Sequence, residues 1–179
     1  MRRVTHTLLG ATAALPLALS VEPGLALGCI WWGMAGGGFP DWFDLRSDLR
    51  KPLRLRHRGV SHSVFAGLIA TGGIYWTLTI LMAADFSVAG VGLAPSQDAV
   101  WLWSASFALG FLSHLLGDAC TVAGIRPLLP FSAFRVWVLP RPLRGRSDGV
   151  VDRVGRFLAL ATILGGTALY AARTLGTPL

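Results

Sequence analysis

The sequence predicts an all-α fold: a multi-pass transmembrane helical bundle built from about five apolar segments. Three observations carry this expectation. Hydrophobic residues make up 53% of the 179-residue chain and charged residues only 14%, against about 25% charged in ordinary soluble domains. The apolar residues fall in long blocks rather than at a short amphipathic period, as membrane spans do. The arginines gather in two connecting segments and at the chain ends. With a mean hydropathy of +0.58, these features exclude most soluble folds. One integral membrane domain, residues 1–179, is the simplest organisation, with no internal repeat and no low-complexity tract.

The apolar segments are residues 4–20, 24–39, 64–84, 99–122 and 154–175. The last three are long enough to cross a bilayer, since about 20 residues at about 1.5 Å rise span roughly 30 Å. The first two are shorter and are separated or bent by Pro16 and the Glu22-Pro23-Gly24 turn. They read as a tilted pair or as a hairpin that enters the bilayer without fully crossing it. Arg2 and Arg3 before an apolar run resemble a secretory signal. A retained anchor is expected instead, because His6 interrupts the run, a second apolar stretch follows at once, and the remaining chain is itself membrane-bound.

Charge sets the expected orientation. Residues 41–62 carry Arg46, Arg50, Lys51, Arg54, Arg56 and Arg58, residues 126–153 carry six further arginines, and residues 85–98 carry no basic residue. By the positive-inside rule the loops 41–62 and 126–153 and the N-terminus are cytoplasmic, and the 85–98 loop and the C-terminus lie outside. The expected location is the cell inner membrane. The net charge of +7 then belongs to loops facing anionic membrane lipid, and no nucleic-acid partner is expected. Residues 127–142 are apolar but broken by prolines, so they are expected to lie in the interface with Arg135 and Trp137 near headgroup level. Cys29 and Cys120 stand far apart with no Cys-x-x-Cys spacing, which argues against a disulfide framework or zinc ribbon.

The chain has four histidines: His6, His57, His62 and His114. On this topology each falls at the cytoplasmic rim, beside Asp41 and Asp44 after the second segment and Asp118 one turn beyond His114. Imidazole nitrogens and carboxylate oxygens suit zinc, iron or manganese, and positions i and i+4 put His114 and Asp118 on one helix face. Such groups are costly in or beside a span, which makes function the default reading. Taken singly, each residue has a plainer role. Asp41 after Pro40 suits a turn or cap, His57 between two arginines suits a solvated loop, His62 between two serines suits a helix cap, and His114 with Asp118 suits a buried hydrogen-bonded pair. Their convergence on one membrane face favours a metal site.

At these residues the sequence resembles the YdjM-like family of inner-membrane metal-dependent hydrolases. The resemblance rests on Thr5-His6 with Gly10, Pro40-Asp41, the block from His57 to Ser63 (His-Arg-Gly-Val-Ser-His-Ser), and His114-Leu115-Leu116-Gly117-Asp118 followed by Thr121, Gly124, Pro130 and Phe131. It implies a metal site of His6, Asp41, His57, His62, His114 and Asp118, with Asp41 and Asp118 as candidate catalytic carboxylates. The implied cofactor is a divalent metal, zinc favoured, as one or more ions. Two departures stand out. The family's acidic motif is usually Pro-Asp-x-Asp, whereas Asp44 here follows Asp41 by three residues. Near the end, Asp152 stands where the family often carries a Gly-Ser-x-x-Glu-like element. The family is also described as binding the LexA repressor.

The expected function is hydrolysis by a membrane-bound metal-dependent enzyme at the cytoplasmic face, on a small-molecule or lipid substrate such as a phosphodiester or lipid headgroup. The alternative is a non-enzymatic membrane protein whose structural metal supports binding of a cytoplasmic protein partner. A transporter ranks last, because residues 101–112 offer only serines as polar groups at depth.

Overall fold

In a bilayer an apolar block can satisfy its backbone only by coiling on itself or by pairing in a closed barrel, and blocks of this length and composition coil. The computed structural model describes residues 1–45, 59–85, 87–88, 91–92, 94–146 and 149–176. Among these, five α-helices form: α1 (Arg3–Ala18), α2 (Pro23–Leu45), α3 (Val64–Ala83), α4 (Gln97–Ala119) and α5 (Val150–Thr174). Only α3, α4 and α5 are long and apolar enough to cross a membrane, the three that the segment lengths single out. A two-residue antiparallel β-ribbon, Ser87–Val88 with Val91–Gly92, lies between α3 and α4.

One boundary differs from expectation. The second segment does not stop at Phe39 but runs on through Pro40 to Leu45, so Asp41 is a helical residue and not the start of a loop. Proline withholds one hydrogen bond and crowds the turn before it, but within a bundle neighbouring groups can satisfy what it frees. Helix starts follow ordinary chemistry elsewhere. Ser63 caps α3 by accepting from the Ala66 amide at 3.1 Å, and Ser96 caps α4 by accepting from Ala99 at 3.2 Å. The cap that His62 could have supplied thus falls to its neighbour.

The centre of the bundle is α1, α2 and α4, with α3 flanking α4 and α5 flanking α1. Antiparallel α1 and α2 meet through glycine: a Cβ on Gly10 would strike the Gly33 carbonyl, and one on Gly37 would strike the His6 carbonyl. The other edge of the same stripe meets α4, where a Cβ on Gly36 would strike the Phe107 carbonyl and one on Gly110 the Gly33 carbonyl. Small residues at four-residue spacing let backbones approach this closely, the usual means of packing helices in lipid. Phe107, Phe111, Leu115, Ala119 and Ile125 form the main apolar core beside the seam. Leu68, Ile69, Trp76, Trp101, Phe157 and Leu164 face outward, where a soluble protein would place polar groups and a membrane protein meets acyl chains.

The proline-broken stretch after α4 forms no regular span. It folds back on the helix end, pairing Ile125 with Val136 and sending the Val138 amide to the Ala119 carbonyl at 3.1 Å. The Trp137 indole donates to the Val122 carbonyl, and the Arg144 guanidinium lies 4.5 Å from the ring centroid. The glycine seam yields a direct comparison. Gly37→Ala should lower stability by about 1–3 kcal/mol through overpacking, while Gly72→Ala, with nothing within 4 Å of its new Cβ, should be neutral or slightly stabilising. Thermal unfolding of the two variants in detergent checks this, and equal melting temperatures would contradict it.

Candidate metal centre

Four elements bring their polar side chains together at one end of the bundle. Helix α1 supplies His6, the last turn of α2 supplies Asp41, the 3-10 turn Val60–His62 supplies His62, and α4 supplies His114 and Asp118. All are buried except Asp41, which is 18% exposed. The His6 and His114 rings stack with centroids 3.8 Å apart, and His62 meets His114 edge-on at 5.0 Å.

Asp118 sits in the middle. Its Oδ1 is 3.2 Å from His6 Nε2, and its Oδ2 is 3.7 Å from His62 Nε2 and 3.8 Å from His114 Nε2. Asp41 Oδ1 lies 3.6 Å from His62 Nε2 and 3.9 Å from His114 Nε2. Most of these separations exceed a hydrogen bond. Ligand atoms at about 2.0–2.2 Å from a shared ion stand roughly 3–3.5 Å from one another, so small side-chain movements would bring these donors to the spacing that a cation needs. Two groups, His6–His114–Asp118 and Asp41–His62–His114, have ligand atoms within 4.8 Å of one another.

The protonation of His114 is set by its surroundings. Its Nδ1 lies 2.8 Å from the Gly37 carbonyl, which can only accept, so Nδ1 carries a proton and the neutral ring turns its Nε2 lone pair toward the carboxylates. A backbone carbonyl of this kind commonly orients a metal-binding histidine. Nε2 of His114 and Nδ1 of His6 are buried with no hydrogen-bond partner among the described residues, which would be costly for groups meant only to stabilise a bundle. His62 Nδ1 pairs with Ser61 Oγ at 3.0 Å. The donor set fits a divalent ion.

The model of the YdjM inner membrane protein family matches residues 1–173, a range that includes every residue of the cluster. The chain belongs to the YdjM family. Neither curated proteins nor solved structures return a match. The YdjM match and the three apolar helices agree on a multi-pass inner-membrane protein.

Five of the six metal candidates read from this YdjM-family sequence, His6, Asp41, His62, His114 and Asp118, come together. His57 lies outside the described residues, and Asp44 lies in the last turn of α2 with its side chain outside the described ones. Cys120 belongs to neither ligand group among the described residues.

Asp152 does not join the histidines. Fully buried, it accepts from the Arg2 amide at 3.0 Å and from the Arg156 guanidinium at 2.9 Å, while Arg156 Nε reaches Thr5 Oγ1 at 3.3 Å. This network pins the first turn of α1, and with it His6, to α5. Sequence reasoning missed it. The i,i+4 pair Asp152 and Arg156 was a visible signal, but its partners lie about 150 residues away in the chain. Asp152→Ala should cost about 2–3 kcal/mol by leaving Arg156 and the Arg2 amide without their acceptor. It should also weaken zinc binding about tenfold by freeing His6. Thermal unfolding and zinc titration read the two effects separately, and unchanged values would remove the positioning role.

Proposed function

We propose that this protein is a membrane-bound metal-dependent hydrolase acting at the cytoplasmic face of the inner membrane, on a phosphodiester or lipid headgroup. The observation that carries this reading is the meeting of five side chains in two ligand groups that share His114, His6–His114–Asp118 and Asp41–His62–His114, with Nε2 of His114 left as a donor by the Gly37 carbonyl. The arginine distribution supports the cytoplasmic assignment.

His6, His62, His114 and Asp118 would hold the ion. When bound, a divalent ion supplies Lewis acidity, lowering the pKa of a water from about 15.7 toward about 7 and polarising the bond to be cut. Asp41 is the one carboxylate of the cluster with access to solvent, 18% exposed, which suits it to take a proton from the attacking water. The water oxygen bonds to phosphorus, the ester P–O bond breaks, and the departing alkoxide leaves as the alcohol after protonation. His114 has one remaining ring nitrogen, so the two donor groups cannot both use it. A second ion would depend on Asp118, whose two oxygens face different histidines.

The complete burial of His6, His114 and Asp118 favours a second reading, in which the ion is structural and the basic loops bind a cytoplasmic protein. Elemental analysis of the detergent-purified protein separates the two from a metal-free site. The wild type should carry stoichiometric zinc, iron or manganese, and the double variant His62→Ala, His114→Ala should lose it. Asp41→Asn should keep the metal and lower turnover of bis(4-nitrophenyl) phosphate by about a hundredfold or more. Absence of metal after reconstitution would overturn both readings. Bound metal without turnover in the wild type would leave the structural one.

A further inference from the structure

Beside the metal centre, α3 and α4 diverge to form a half-open groove of about 100 Å³, lined by Val64, Gly67, Leu68 and Thr71 of α3 and by Ala108 and Phe111 of α4. Three features tie it to the site. Val64 follows His62 by two residues, and Phe111 precedes His114 by three, so one end of the groove lies at the level of the histidines. From Val64 to Thr71 the groove follows two turns of helix, about 10 Å at about 1.5 Å per residue, away from the site and along two membrane-spanning helices. Its floor is open because Gly67 has no side chain: a Cβ there would lie 2.8 Å from the Phe111 ring.

The mouth is chemically different. The Val64 amide donates to the Pro127 carbonyl at 2.9 Å, and Phe65 meets Phe131 edge-on at 4.9 Å, which brings the start of the arginine-bearing loop against the end nearest the histidines. A polar cluster able to hold a cation and the start of a basic loop at one end, an apolar groove beneath them, and a rim of exposed Leu68 and Leu112 open to the bilayer describe the outline of an amphiphile. A soluble phosphodiester has nothing to place in the groove, and a helix is too wide for it.

We infer that this groove is an acyl-chain subsite, and that the substrate is a membrane lipid with an anionic phosphate headgroup, one chain of which lies between α3 and α4 while the headgroup reaches the histidine cluster. This rests on the hydrolase reading for the identity of the substrate, but binding in the groove can be measured without turnover. Annular lipid touches every outward face, so the distinguishing property is preference for the groove.

The test uses the full chain in phosphatidylcholine vesicles containing phosphatidylglycerol with a photoreactive diazirine in one acyl chain. After illumination and digestion, label on the peptide bearing Leu68 and Thr71 should exceed label on the outward α5 residues Phe157 and Leu164 by about tenfold, and unlabelled phosphatidylglycerol should compete for it. Thr71→Trp, and independently Ala108→Leu, should bring groove labelling down to the α5 level, a loss on the scale expected from filling an apolar pocket. Groove labelling equal to that of α5, or unchanged in both variants, would overturn the subsite.

Kinetics keep the two ideas apart. Both variants should lower kcat/KM for phosphatidylglycerol about tenfold and leave turnover of bis(4-nitrophenyl) phosphate unchanged. If the wild type hydrolyses neither compound, the hydrolase reading fails and the subsite is decided by the labelling alone. If it hydrolyses both and the variants alter neither rate, the enzyme stands and the acyl-chain subsite falls.

Discussion

The close approach of α2 to both α1 and α4 is the constraint on which the rest of the structure depends. A glycine stripe lets three backbones meet where any side chain would collide with a neighbouring carbonyl. Because lipid tails are as apolar as the helices, burial of apolar surface offers little drive for this assembly, and backbone packing must supply it. The approach sets the chemistry directly. It brings the Gly37 carbonyl within 2.8 Å of His114 and lets the His6 ring stack on His114 at 3.8 Å. A helix pair separated by ordinary side chains would hold these groups too far apart to share an ion.

Around that seam, the flanking helices perform different tasks. Helix α5 packs on α1, and through Asp152 and Arg156 it anchors the turn that carries His6. Helix α3 packs on α4, and the turn before it presents His62 while Ser63 takes over the cap. Both helices are otherwise largely exposed, as spans facing lipid must be. The buried histidines and Asp118 gather at one end, where the loop after α4 folds back and Trp137 carries Arg144 on its face. A bundle organised this way concentrates its costly ionisable groups where water and headgroups are near and leaves only small hydroxyls such as Ser104 and Ser106 at depth.

Much of the site was legible before any coordinates. Histidine is scarce in this chain, and the i,i+4 relation of His114 and Asp118 is a property of helical geometry alone. Asp41 was legible as a candidate but not in its setting, because proline usually ends a helix and here the bundle carries α2 through it. Asp152 was left aside for a related reason: its partners are the Arg2 amide and Thr5, and contacts between opposite ends of a chain leave no local pattern.

The sequence by itself determined the class of fold, the three long spans and the residues with chemistry to offer, because hydropathy, helical period and side-chain type are local properties. Tertiary structure decided which of those residues meet. It placed Asp118 between three histidines, oriented His114 through a backbone carbonyl that no sequence pattern marks, kept Asp41 as the partly exposed carboxylate, and opened an apolar groove beside the cluster. Each of these depends on distances between separate helices, and those follow from how closely the glycine faces pack.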